Sequence, residues 1–175
     1  MPQAIIRVFA KPELAAEVRA AQHGDSAAFA RLYEQYARMV HGILLAHVPP
    51  QDAEDLTQSV FVTALQRLQS VRDGEAIGGW LATIARNAAH DYHRRKPPAS
   101  EPLLDKHAIS ADPPLDARAV MDAIHALPEA YRETLLLRLV EGMTGVEIAA
   151  QTGLTPDSVR VNLSRGMKLL REQLS

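Results

Sequence analysis

Near the end of the chain, Ser158, Arg160, Asn162, Ser164, Arg165 and Lys168 follow one another at intervals of one to three residues. Arginine and asparagine can hydrogen-bond base edges in a DNA major groove, while hydroxyls and lysine suit phosphate oxygens. With Val159, Leu163, Gly166 or Met167, Leu170 and Leu174 pointing inward, these polar residues and Val161 share the outward face of one helix. A second cationic stretch lies upstream. Residues 80–96 carry Arg86, Arg94, Arg95 and Lys96 against the single acid Asp91, a net charge of +3. Such a stripe is the electrostatic footprint of a nucleic-acid binder. Cations at a helix C-terminus also answer the helix dipole, and the later stretch reads equally as a solvated amphipathic helix. Tyr92 and Trp80 offer ring faces on which unpaired bases can stack. Trp80 sits on the apolar stripe, where core packing is its plainer role.

Other clusters give less. Asp52, Glu54 and Asp55 fall in the first turn of a helix, which capping and the helix dipole explain. With Asp55, Gln58 and Ser59 outward, that helix is a poor DNA reader and a reasonable protein-docking face. His90 and His93 are spaced for one side of a helix, but no HExxH motif or third ligand accompanies them, so no metal site is expected. No cysteine is present, which removes disulfides, thiolate metal sites and a cysteine nucleophile. Nucleophile-elbow, phosphate-loop and dinucleotide motifs are also missing, so neither catalysis nor a cofactor is expected.

These residues need rigid helices, and the spacing supplies them. Phe29, Leu32, Tyr36, Val40 and Ile43 step by three or four behind Asp25 or Ser26 as N-cap. Ala53, Leu56, Val60, Ala64 and Leu68 repeat the pattern, with Phe61 and Leu65 widening the stripe. Trp80 or Leu81, Ile84, Ala85, Ala88 and Tyr92 make a third helix. Between the second and third, residues 70–79 hold three glycines and no period, and are expected to form a loop. Further on, Pro128 opens a helix with Tyr131, Leu135, Leu136 and Leu139 inward, and Gly142 stops it. Thr144 and Glu147 form a capping box, Gly153 ends that short helix, and Thr155 with Pro156 starts the next. Two short helices joined by a tight glycine-containing turn form a helix-turn-helix unit.

Proline divides the chain. None occurs from Gln51 to Lys96, then Pro97, Pro98, Pro102, Pro113 and Pro114 crowd together among Ser and Asp. An all-α fold of two small helical domains, 1–96 and 118–175, joined by a flexible linker over 97–117, is expected. An apolar content of 47% with 23% charged residues excludes a disordered chain. The formal net charge of -2 means that any polyanion must be met by local patches. The first eleven residues lack the pattern of a signal peptide and no 18-residue apolar run occurs, so a cytoplasmic protein without membrane insertion is expected. Residues 4–9 remain unassigned.

Two stretches together resemble a known family, the bacterial RNA polymerase sigma factors of the extracytoplasmic-function group. AQHGDSAAFARLYEQY through DAEDLTQSVFVTALQRL to GGWLATIARNAAHDYHRRK is similar to the family's promoter-melting domain. ALPEAYRETLLLRLVEGMTGVEIAAQTGLTPDSVRVNLSRGMKLLREQL is similar to its C-terminal DNA-reading domain. DAEDL, WLATIARN and the trailing RRK make the match specific. The resemblance implies that the helix headed by Asp52, with Asp55, Gln58 and Phe61, meets the clamp helices of the polymerase's largest subunit. It implies that Arg86, Asn87, Tyr92, Arg94 and Arg95, with Lys96 closing the run, engage the downstream promoter element and the melted strand. Residues 70–79 match the loop that captures a flipped-out base. Ser158, Arg160, Ser164 and Arg165 match the helix reading the minus-thirty-five element, with Asn162 and Lys168 on the same face. The chain departs from the common family pattern at Ser59, Leu65, Val161 and Asn162.

The resemblance also implies the partners core RNA polymerase, promoter DNA and an anti-sigma factor. About twenty linker residues extend to roughly 65–70 Å, comparable with two turns of duplex at about 34 Å each. One chain can therefore hold both elements, and the tether raises the effective concentration of the second contact. Residues 99–130 carry six acids against two bases. By resemblance, that segment threads the polymerase's RNA exit path. The rival reading is a repressor or activator that binds DNA through its C-terminal unit and dimerises or senses an effector through the first domain. A third is an adaptor that binds only protein.

Overall fold

A computed structural model describes residues 11–95 and 115–174, and they form two four-helix units. The first contains α1 (Lys11–Gln22), α2 (Ser26–Leu45), α3 (Pro50–Arg67) and α4 (Ile77–Arg95), with short 3-10 turns at Leu68–Ser70 and Gly74–Ala76. The second contains α5 (Leu115–His125), α6 (Glu129–Leu139), α7 (Gly145–Thr152) and α8 (Pro156–Leu174). No strand occurs among the described residues.

Local chemistry sets most boundaries. The Asp25 carboxylate accepts from the N–H groups of Ala27 and Ala28, capping α2. Pro50 stands in the first turn of α3, where its missing N–H costs nothing. Thr144 and Glu147 close the capping box on α7, and Gly153 ends that helix at φ 78°, a left-handed conformation suited to glycine. The Thr155 hydroxyl accepts from the Ser158 N–H to start α8. The expected linker falls largely on residues 97–114, outside the described residues, and α5 begins at Leu115, within its expected span.

Leu32, Tyr36, Val40 and Ile43 of α2 and Ala53, Val60 and Ala64 of α3 are buried, as their spacing requires. Burial pushes the Tyr36 phenol up to about 12. Leu65 does not join them: it is 54% exposed, one helical step beyond the stripe. Leu139 and Leu174 are also exposed, because each lies in the last turn of its helix. Residues 70–79 are not one loop. Asp73 caps a 3-10 turn, and α4 starts at Ile77, so Gly78 and Gly79 are helical. Gly78 is there for packing: a Cβ would stand 2.0 Å from the Gln151 carbonyl oxygen.

That last contact joins the two units. Helix α6 packs on α2, and α7 on α4 and α2. Leu137 is buried over Gly42, and one cluster of buried residues continues from Leu14 to Leu170. The domains therefore share an apolar seam, a feature that the tethered arrangement did not anticipate.

Candidate nucleic-acid interface

Helix α4 carries the first cationic face. Arg94 and Arg95 are exposed in its last turn, Arg94 pairing with Asp91 at 2.7 Å. Asn87 is exposed two turns earlier. Tyr92 is half-buried and donates its hydroxyl to Asp52 of α3, bringing a residue expected at the DNA together with one expected at the polymerase. Between them runs an open groove lined by Leu56, Ser59, Thr63, Ala88 and Arg95. Lys96 lies outside the described residues. His93 donates its Nε2 to the His47 carbonyl oxygen at 2.6 Å, so this ring helps hold α4 to the end of α2. Trp80 is half-buried and packed on the core.

Helix α8 carries the second face. Ser158, Arg160, Ser164, Arg165 and Lys168 are exposed along it, as is Val161. Arg160 lies 3.1 Å from Asp157, an exposed pair of little strength that a phosphate can displace. Asn162 is half-buried, its amide donating to the Ala130 carbonyl oxygen at 3.5 Å. On α3, Asp55 and Gln58 are exposed, and the Ser59 hydroxyl donates to the Asp55 carbonyl oxygen. Phe61 is only 4% exposed, with the rings of Phe29 and Tyr33 edge-on to it at 6.5 and 4.7 Å. It supports the α3 face from beneath and is not itself on the surface.

Arg86 differs from its neighbours. Its Nε donates to Glu133 Oε1 at 2.9 Å and its Nη2 to Oε2 at 2.8 Å, across the seam between the units. His47 Nε2 donates to the same Oε1 at 2.9 Å. Burial pushes the Glu133 carboxyl up, but the His47 and Arg86 bonds outweigh it and hold the group below its usual range. The Arg86 guanidinium is held above its ordinary value by the Glu133 bond. His47, Glu129 and Glu133 offer donor atoms within 4.8 Å of one another. Both Glu133 oxygens already serve Arg86, so the group works as an ion-pair network. Buried Glu133 was not anticipated from the sequence, because a Glu inside a helix ordinarily faces water.

Residues 32–97 match the family description Sigma-70 region 2, and residues 117–170 match Sigma-70, region 4. RNA polymerase sigma factor CarQ of Myxococcus xanthus is 33% identical over 159 residues, covering 86% of this chain and 91% of CarQ. The chain belongs to the extracytoplasmic-function sigma factors. Sigma factors of this group start transcription by binding DNA, and the family as a whole is not enzymatic. ECF RNA polymerase sigma factor BldN of Streptomyces coelicolor is 30% identical over 169 residues; the match covers 90% of this sigma factor but only 64% of BldN. In fold, the sigma factor is similar to CnrH solved in complex with the cytosolic domain of CnrY. The TM-score is 0.63 at 22% identity, covering 92% of this chain and 96% of that one. No helix among the described residues is long and apolar enough to cross a membrane.

Proposed function

We propose that this sigma factor binds core RNA polymerase, recognises a two-part promoter and helps to open it, working in the cytoplasm where the polymerase is. Residues 1–96 serve the polymerase, the downstream element and melting; residues 118–175 read the upstream element; residues 97–117 link them. Asp55 and Gln58 form the polymerase-facing surface, with Asp52 and Phe61 supporting it. Asn87, Tyr92, Arg94 and Arg95, with Arg86 and Lys96, hold the downstream element. Ser158, Arg160, Ser164, Arg165 and Lys168, with Asn162, hold the upstream one.

One observation carries the reading. Within a chain that matches both sigma regions, two separate helices present exposed arginines, Arg94 and Arg95 on α4 and Arg160 and Arg165 on α8. Arginine forks on phosphate and base edges supply position and readout. The sigma factor breaks no bond itself; bases captured on stacked side chains and in pockets offset the cost of unpairing. An anti-sigma factor that covers one or both DNA faces is the expected regulator, on the strength of family membership. A pull-down returning polymerase subunits but no inhibitor would count against it.

Purified protein mixed with core polymerase and a promoter library should give specific run-off transcripts. A stable complex with duplex DNA in the absence of polymerase, together with no transcripts, would instead favour the repressor or activator reading.

A further inference from the structure

We infer that the ion-pair network around Glu133 doubles as a binding site for one divalent cation of the first transition row, held by His47, Glu129 and Glu133. The site goes beyond the promoter reading and does not depend on it. Glu129 and Glu133 are four residues apart on α6, so their carboxylates share one face of that helix. His47 follows the end of α2 and brings its ring to the same place. Its Nε2 lies 2.9 Å from Glu133 Oε1 and 3.7 Å from Glu129 Oε1, and the three donor atoms all fall within 4.8 Å of one another. Two donors bonded to one tetrahedral ion at about 2.0–2.1 Å stand roughly 3.3 Å apart. The observed separations bracket that value, so shifts of about 0.4 Å bring His47 and each carboxylate to the spacing that one ion requires.

The chemistry of the set selects the kind of ion. Imidazole with two carboxylates suits Zn²⁺ and its neighbours, whereas Mg²⁺ and Ca²⁺ prefer oxygen alone. Three protein ligands leave a position for water. Glu129 and Glu133 line a cavity of about 340 Å³, which supplies room for that water and a route in. The ion would take the place of the Nε2 proton between His47 and Glu133, and the imidazole would carry its proton on Nδ1 instead. Arg86 keeps its bonds to Glu133 through this exchange, at 2.9 and 2.8 Å, and so fixes the tilt of the ligating carboxylate. His47 is fixed as well: His93 donates to its carbonyl oxygen at 2.6 Å, and Arg132 to the neighbouring Ala46 carbonyl oxygen at 3.1 Å. The donors are therefore held in place before an ion arrives. Because His47 belongs to the first unit and both glutamates to the second, the ion would tie α2 to α6.

The test uses the full chain, free of any added histidine tag. Calorimetric titration with zinc chloride should show one ion taken up per chain. His47→Ala and Glu129→Gln should each weaken that uptake by about tenfold or more. The Glu129 side chain is 54% exposed, so its replacement leaves the packing alone, and circular dichroism reports whether either variant has lost helix. His90→Ala, exposed on α4, is the control and should leave the affinity unchanged. Zn²⁺ should also raise the melting temperature of the parent and not that of His47→Ala, since an ion held only by the folded chain stabilises it. No uptake by the parent, uptake that survives both His47→Ala and Glu129→Gln, or an equal loss in His90→Ala overturns the site. A chain that takes up Zn²⁺ as described yet yields no transcripts with core polymerase would overturn the promoter reading and leave the site standing.

Discussion

Replacing Gly78 by alanine should part the two domains, and the geometry sets the size of the effect. An added Cβ would stand 2.0 Å from the Gln151 carbonyl oxygen, 2.9 Å from its carbon and 3.0 Å from Tyr36 Cε1. Non-bonded carbon contacts ordinarily begin near roughly 3.5 Å, so α7 must retreat by about 1 Å or more. Helices α6 and α7 pack together, and a retreat of that size, shared by α6, stretches the 2.8 and 2.9 Å bonds between Arg86 and Glu133. They would reach about 4 Å, beyond hydrogen-bond range. Overpacking of this kind costs about 1–3 kcal/mol, against a gain of at most about 1 kcal/mol from replacing glycine in a helix. Gly79 is the internal control, since its Cβ would meet only the Thr152 carbonyl oxygen, at an ordinary 3.7 Å. Gly79→Ala should leave the dimensions of the chain unchanged and slightly raise its stability. Gly78→Ala should enlarge the radius of gyration in small-angle scattering and lower the denaturant midpoint. If both variants scatter and unfold alike, Gly78 does not hold the seam and the reasoning fails.

Replacing Arg94 and Arg95 together by alanine should reduce open-complex formation and lower the salt slope of promoter binding by up to about 2; an unchanged slope would remove the end of α4 from the DNA. Asp55→Ala with Gln58→Ala should weaken polymerase binding while leaving thermal stability within about 0.5 kcal/mol, whereas Phe61→Ala should cost about 3–5 kcal/mol of stability. The reverse ranking in melting and pull-down experiments would refute the distinction between face and support. Thr144→Ala should destabilise the second domain by about 1 kcal/mol through loss of the cap. The Thr144 N–H bond holds the Glu147 carboxyl below its ordinary value. Its contribution is therefore present above the usual carboxylate range and lost as pH falls through that lowered value, so the parent and a Glu147→Ala variant, which lacks that carboxylate, should converge in strong acid. Parallel stability profiles down to low pH would argue against the box.

Where one face of a helix is buried, the sequence was enough. The period of α2 and the punctuation of α7 and α8 name both core and caps before any coordinates. Residues buried from two sides were legible only in part. Helix α6 lies between α8 and α2, so Leu137 is buried along with the expected Leu135 and Leu136, and no single stripe describes the three. Glu133 sits among them because a partner distant in sequence, Arg86, compensates it, and no local pattern carries that information. Helices α1 and α5 went unassigned: α1 has a broken apolar period, and α5 starts inside a stretch that proline content marked as linker. The glycines of α4 read as loop because their reason, an approaching backbone, lies more than seventy residues away. The exposed cations of both faces were legible because charge at helical spacing needs no partner to be seen.

The seam that joins the halves is greasy as well as ionic. Swinging α6 away from α2 would bare Leu137 and the hollow over Gly42 to solvent, and a freely gaping chain would be prone to stick to itself. Release is therefore safest as a hand-over, in which another macromolecule covers the vacated surface as it appears. Timing then belongs to the arriving assembly, and a solitary molecule gains little by unfastening early.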